Sequence, residues 1–293
     1  MTNRIGNGPP RVVIEPRRGL GKLGLREVLE HRELLLMLVQ RDLKVRYKQA
    51  LIGFGWIALQ PLMTVTLFAL LFQALMRNRP PTPDGIPYVL STFSVLMVWQ
   101  MVSASITGSS NSLINNAAVL KKTYFPKLIA PLYPIVAALV DLALVSLVFA
   151  ILAFGYRIAG FGSIRTGLPL IFFPLFIFFA VMFSVAIGLW LASLNALYRD
   201  VKYIVPFMLT VLQFASPVVY TSHSVLHDQP VWLQFVYRLN PLAVVADGIR
   251  WSLFGAPPPG AASSVGAAAL VIAIGVGGLV FFRATESLVV DVV

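Results

Sequence analysis

The sequence contains no cysteine. Disulfides, thiolate metal sites and a cysteine nucleophile are thereby excluded. It is also poor in charge: 12% of its 293 residues are Asp, Glu, Lys or Arg, about half of the ~25% usual in soluble domains. Acids are the scarcer sign, 12 against 23 bases, and there are three histidines. Within the long apolar runs Asp141 is the only acid, so no carboxylate pair is placed there for acid–base catalysis. No G-x-x-x-x-G-K-[ST] motif occurs; "RRGLGKLG" lacks the upstream glycine and the hydroxyl after lysine, which argues against nucleotide binding on this chain by that route. His223 and His227 beside Asp228 have a spacing open to zinc, but exposed loop histidines are the simpler reading.

What fills the chain is apolar, 58% hydrophobic residues gathered in blocks long enough to cross a ~30 Å hydrocarbon core. The expected class is an all-α integral membrane protein with six spans, near 51–76, 86–108, 132–154, 168–192, 203–221 and 263–282. The net charge of +11 raises nucleic acid as a partner, but its distribution points to membrane lipid instead. The first 50 residues hold 11 Lys/Arg and five acids directly before the first apolar run, the pattern of a cytoplasmic segment facing anionic lipid. With the N-terminus inside, 17 of the 23 bases fall on the cytoplasmic side, so both termini are expected there. The first apolar run starts near Leu51, too late for a cleavable signal peptide.

Three regions divide the chain. Residues 1–22, rich in Gly, Pro and Arg, read as a mobile basic tail. Residues 23–50 read as helix: Leu25, Val28/Leu29, Leu36, Val39 and Leu43 recur at three- and four-residue steps, which suits a helix lying along the cytoplasmic membrane surface. Residues 51–293 carry the spans. Between spans five and six, Trp232, Phe235, Tyr237, Val244, Ile249 and Trp251 make the connection too apolar for a free loop. Two short amphipathic helices split at Asn240-Pro241 and dipping into the outer leaflet satisfy that composition.

Function is suggested by three features. "RDLKVRYKQALIGFGWIALQPL" brings Arg41, Asp42, Lys44, Arg46 and Lys48 into eight residues, after which no charge occurs before Arg77. Asp42 and Arg46 are a supportive i,i+4 pair, whereas Lys44 and Lys48 repel at the same spacing. A repulsive pair at a membrane edge makes sense where something anionic passes. In "NNAAVLKKTYFP", Asn115 or Asn116 can cap a short helix over Ala117–Tyr124. Its Leu120, Tyr124 and neighbours are too apolar for a mere connector and suit docking to a soluble partner. Aromatic residues at differing depths (Trp56, Phe72, Trp99, Phe214 and Tyr220) are candidates to line a channel and stack on sugar rings. Asp141, deep in span three with no base at its depth in the spans, is expected to bond to another helix, a direct transport role being the alternative.

On "RDLKVRYKQALIGFGWIALQPL", "NNAAVLKKTYFPKLIAPLYP", "ALYRDVKYIVPFMLTVLQFASPVVY" and "LNPLAVVADGIR", the chain resembles the permeases of polysaccharide ABC exporters of the ABC-2 type, which move O-antigen, teichoic acid or capsule chains. The resemblance implies a homodimer in the bacterial inner membrane, with each subunit docked to a separate ATPase subunit. That partner would hold ATP and Mg2+, and this chain would be no enzyme and carry no cofactor. It implies a gate helix at the mouth for lipid-linked polysaccharide (Arg41, Lys44, Arg46, Tyr47, Lys48). It implies a coupling helix (Asn115, Asn116, Ala117, Leu120, Lys121, Lys122, Tyr124) and paired re-entrant helices at the outer exit (Trp232, Asn240, Pro241, Asp247, Arg250). An ABC-2 exporter of drugs or lipids and an integral membrane glycosyltransferase are the rival readings.

Overall fold

A computed structural model describes residues 25–48, 55–75, 86–117, 126–160, 167–222 and 229–292. Those residues fold as helices joined by short connections, with no strand among them. In chain order the helices are α1 (Leu25–Glu30), α2 (Arg32–Tyr47), α3 (Gly55–Leu75), α4 (Tyr88–Asn115) and α5 (Ile129–Ile158). A 3-10 turn (Leu168–Phe172) then leads into α6 (Phe173–Leu197), followed by α7 (Val201–Ala215), α8 (Val231–Arg238), α9 (Pro241–Phe254) and α10 (Ala261–Val292).

Among the described residues, four segments are long and apolar enough to cross a membrane: α4, α5, Leu168–Leu197 and Ala261–Glu286. At 1.5 Å per residue they reach roughly 39–45 Å. Shorter apolar stretches lie in α3, over Leu59–Leu71, and in α7. The fifth expected span, 203–221, is therefore cut short: its 15-residue helix ends at Ala215 after about 21 Å. The cause is Pro217, which has no N–H to give and restricts the residue before it. Ser216 accordingly stands extended, with φ −114° and ψ 151°.

The centre of the fold is α4. Nineteen of its 28 residues are buried, because α3, α5, α6, α7 and α9 all pack on it. Its serines and glycine let those neighbours come close, as small residues do in membrane helices. A Cβ on Gly108 would lie 2.5 Å from Pro134 of α5, and Ser109 comes within 2.9 Å of where a Cβ on Gly188 of α6 would stand. Ser109 also donates to the Pro131 carbonyl at 2.6 Å. Asn195 of α6 donates to the Ser110 carbonyl at 2.9 Å, tying α6 to α4. On the far side of α6, Trp190 donates to the Ile274 carbonyl of α10 at 2.9 Å and stacks on Phe281.

The N-terminal helix differs from the expected continuous surface helix. It breaks at His31, whose Nδ1 meets the Glu27 carbonyl at 2.8 Å. Leu36 is half exposed, and the packed face is Leu34, Leu35, Leu38, Val39 and Leu43. That face lies against Ile129, Tyr133 and Ala137, so α2 runs along the first half of α5. Burying leucines against a helix removes them from solvent as effectively as lipid would, and the side chains of α5 decide the face.

The connection between α7 and α10 divides at Asn240-Pro241, where the two short helices were expected to part. The Asn240 carboxamide accepts from the Leu242 N–H at 3.0 Å and Pro241 opens α9, a capping pair that starts a helix cleanly. Gly255, with φ 71°, closes it in the left-handed conformation.

Candidate functional site

The dense basic stretch forms the last two turns of α2, and the helix divides it into two sides. On one side Arg41, Lys44 and Lys48 line a shallow depression of about 400 Å³ with Met37, Gln40 and Val45. No carboxylate among the described residues pairs with Lys44 or Lys48. On the other side Arg46 Nη1 donates to Asp141 Oδ2 at 2.7 Å, and its Nη2 reaches Asp42. The Tyr47 hydroxyl donates to the second Asp141 oxygen at 2.7 Å.

The five residues assigned to the entrance are therefore not one set. Arg46 and Tyr47 are turned into α5, and only Arg41, Lys44 and Lys48 share the open depression. Asp141 bonds to another helix, as expected, but that helix brings a base to its depth: the base comes from α2 and not from a span. Asp141 is the thirteenth residue of α5, some 18 Å along it, and Arg46 carries positive charge to that level. Burial opposes the Arg46 charge, but Asp42 and Asp141 outweigh it and hold the guanidinium above its ordinary range. Burial, with the Asp141 carboxylate beside it, likewise holds the Tyr47 phenol above its ordinary value, so it stays a donor at neutral pH.

Asn116 departs further from its expected role. It is 1% exposed and its carboxamide is fully engaged inside the protein. Oδ1 accepts from Arg41 Nη2 at 2.6 Å. Nδ2 donates to the Ser112 carbonyl at 2.7 Å and to the Tyr133 hydroxyl at 3.2 Å. It therefore presents no surface to a docked partner, because its polar atoms are used to join α2, α4 and α5. Asn115 ends α4 in an exposed position and Ala117 is half-buried. Leu120, Lys121, Lys122 and Tyr124 lie outside the described residues, as do His223, His227 and Asp228.

Of the channel candidates, Trp99 belongs to the core: it is 6% exposed, inside the main cluster around α4. It cannot line a channel from there, since five helices surround α4. Trp56 and Phe214 are more than half exposed. Phe214 packs edge-on against Phe68, and its carbonyl accepts from the Tyr220 hydroxyl at 2.8 Å. The Phe72 side chain is outside the described set.

At the other end of the bundle, Trp232 on α8 is exposed, but Arg250, counted from sequence with the outer-loop bases, is 3% exposed. It donates to the Ser91 hydroxyl at 3.3 Å and the Val218 carbonyl at 3.1 Å, with Asp247 at 3.9 Å. Ser222 donates to Asp247 at 2.6 Å, Tyr88 to the Val219 carbonyl at 2.9 Å, and Asn240 to Ser216 at 3.0 Å. Together these bonds hold the irregular chain after α7 against α4 and α9. Burial depresses Arg250 and raises Asp247. Tyr133, Ser91 and Tyr88 are members of these networks that sequence reading missed; polar groups inside otherwise apolar helices were the available signal.

A bundle of long apolar helices, with a basic helix packed along one of them, is the architecture of a multi-span membrane protein. Residues 33–254 match the ABC-2 type transporter family, and the chain belongs to it. It is 30% identical over 218 residues to the O-antigen export system permease protein RfbA of Myxococcus xanthus, covering 74% of this chain and 79% of that one. The RfbA protein of Klebsiella pneumoniae is 28% identical over 211 residues, 72% of this chain and 76% of its own. A shorter likeness, 28% over 89 residues and 30% of this chain, links it to the capsule polysaccharide export inner-membrane protein CtrC of Neisseria meningitidis serogroup B.

Proposed function

We propose that this chain is the membrane subunit of an ATP-driven exporter of a lipid-linked polysaccharide, working in the bacterial inner membrane with both termini cytoplasmic. The observation that carries this reading is the likeness to O-antigen export permeases over about three quarters of both chains. Two copies form the pathway and two ATPase subunits drive it; ATP and Mg2+ belong to those partners and no cofactor to this chain. Residues 1–22 are the tail, 23–50 the cytoplasmic interfacial and gate helices and 51–293 the six-span body, with α3 as one further span and α7 together with the chain after it as the other.

The basic face of α2 supports a substrate with an anionic link. Arg41, Lys44 and Lys48 meet a diphosphate, and Arg46 and Tyr47 fix the helix that carries them. Arginine and lysine bind phosphate as fork and point charge respectively. Asn115, Ala117, Leu120, Lys121, Lys122 and Tyr124 serve the ATPase contact. Trp56, Phe72, Phe214 and Tyr220 are offered to the sugar chain. Trp232, α8 and α9, anchored through Asn240, Pro241, Asp247 and Arg250, form the outer exit.

The test is co-purification of the chain with an ATPase subunit, followed by ATP-dependent movement of polymer into vesicles. Polymer translocation with hydrolysis is the expected outcome. Translocation of apolar drugs or free lipid, with none of polymer, would replace this reading by the drug or lipid exporter, and sugar transfer without ATP by the glycosyltransferase.

A further inference from the structure

Arg41 has two faces. Its Nη2 is bonded to Asn116 at 2.6 Å, while the same side chain lines the depression that holds Lys44 and Lys48. Asn116 is engaged at both ends of its amide: its oxygen accepts from Arg41 and its nitrogen donates to Ser112 and Tyr133. Buried networks of this kind are rigid, because an amide that loses a partner in a dry site is left with an unsatisfied polar atom. Asn116 also stands one residue beyond the end of α4, directly before the residues assigned above to the ATPase contact. A change at either end of this chain of bonds must therefore be felt at the other.

We infer that Arg41–Asn116 is the connection by which an anion in the depression reports its presence to the end of α4. A phosphate drawn between Lys44 and Lys48 competes with the Asn116 oxygen for the Arg41 guanidinium. Phosphate is the stronger acceptor, since charge-assisted bonds are about twice the strength of neutral ones. Loss of that bond frees Asn116 from α2 and lets α4 and the following residues shift. This rests on the substrate reading above and adds to it: Lys44 and Lys48 draw the anion in, and Arg41, which meets it with them, passes the change to Asn116. The differential contact that such a switch requires is the Arg41 bond, made to Asn116 in one state and to phosphate in the other.

The test uses the full complex with its ATPase subunits in nanodiscs and a polyprenyl diphosphate as probe. Asn116→Leu should bind the probe within about threefold of the parent, hydrolyse ATP at the unstimulated rate, and lose about fivefold or more of the stimulation by the probe. Asn116→Asp turns the acceptor into a carboxylate that phosphate no longer outcompetes for Arg41, so it too should lose the stimulation. Parent-level stimulation in Asn116→Leu overturns the inference. If Asn116→Leu does not assemble, Arg41→Lys decides. It keeps the charge but not the fork that spans both sites, and parent-level stimulation there overturns the inference equally. Lys44→Ala/Lys48→Ala separates the two layers: if it binds the probe like the parent, the substrate reading fails and this inference with it. If it binds poorly while Asn116→Leu stays fully stimulated, the inference alone fails.

Discussion

Arg46 of α2 and Asp141 of α5, 95 positions apart in the chain, meet at 2.7 Å. This contact resolves two costs at once. A lone carboxylate well inside a membrane helix costs at least about 2.5–3.5 kcal/mol, and a guanidinium packed against that helix needs an acceptor. Tyr47 takes the second carboxylate oxygen. The side chains of Arg46 and Asp141 keep 41% and 17% of their exposure, so solvent screens the pair and its worth stays well below that of a dry one. Asp141→Ala should therefore lower stability by about 1–2 kcal/mol. A double-mutant cycle with Arg46→Gln, read by thermal unfolding in detergent, should return a coupling of about 1 kcal/mol. Additive effects would show the contact to be absent in solution.

How much of this could be read from the sequence differs between elements, for physical reasons. The four long helices were legible because hydropathy alone sets them. The parting at Asn240-Pro241 was legible because a cap is local chemistry. The end of α7 was legible only in part: Pro217 stood inside the expected span, but Val218, Val219 and Tyr220 keep the sequence apolar past it, and hydropathy does not register a backbone break. The break at His31 carries no glycine or proline to mark it. Trp99 shows the deeper limit. Its depth along α4 follows from the sequence, but whether it meets a channel or a neighbour depends on five helices distant in the chain. The same limit hid the partner of Asp141 and the inward turn of Asn116.

Gly248 on α9 faces the ring of Phe176, and a Cβ there would lie 2.1 Å from it. That ring is wedged in turn against Trp251, so it has little room to yield. Gly248→Ala should cost about 2–3 kcal/mol by overpacking, visible as a lowered melting temperature. Phe176→Leu in the same chain should recover part of the loss. A Gly248→Ala protein as stable as the parent would mean that α9 does not sit on α6 this closely.

Arg250 is the most deeply buried charge with described partners at the α9 end. Arg250→Ala removes the donors to Ser91 and the Val218 carbonyl and leaves the half-buried Asp247 without its counter-ion. Breaking one side of such a pair costs about 3–5 kcal/mol. The variant should fail to give monodisperse protein on size-exclusion chromatography. Adding Asp247→Asn should restore part of the yield, because the orphaned charge is then gone. Normal yield from Arg250→Ala alone would remove this cluster from the account of how the chain after α7 is held.

The division of the basic helix gives the sharpest expectation for transport. Arg46 is committed to Asp42 and Asp141, so its removal should act on stability and leave affinity for an anion near the parent value. Lys44 and Lys48 face the depression without a carboxylate among the described residues, and their repulsion at i,i+4 is relieved only by an anion between them. An exposed lysine–phosphate contact is worth up to about 1 kcal/mol. Lys44→Ala/Lys48→Ala should thus weaken binding of a polyprenyl diphosphate by up to about thirtyfold, since each 1.4 kcal/mol is a factor of ten. Salt provides an independent check. Raising ionic strength shortens the screening length towards a few ångströms, so parent binding should fall steeply with salt and the double variant's should fall less. If Arg46→Gln loses affinity as much as the lysine pair does, the two faces of α2 are not separate in function, and Arg46 must leave Asp141 when substrate arrives.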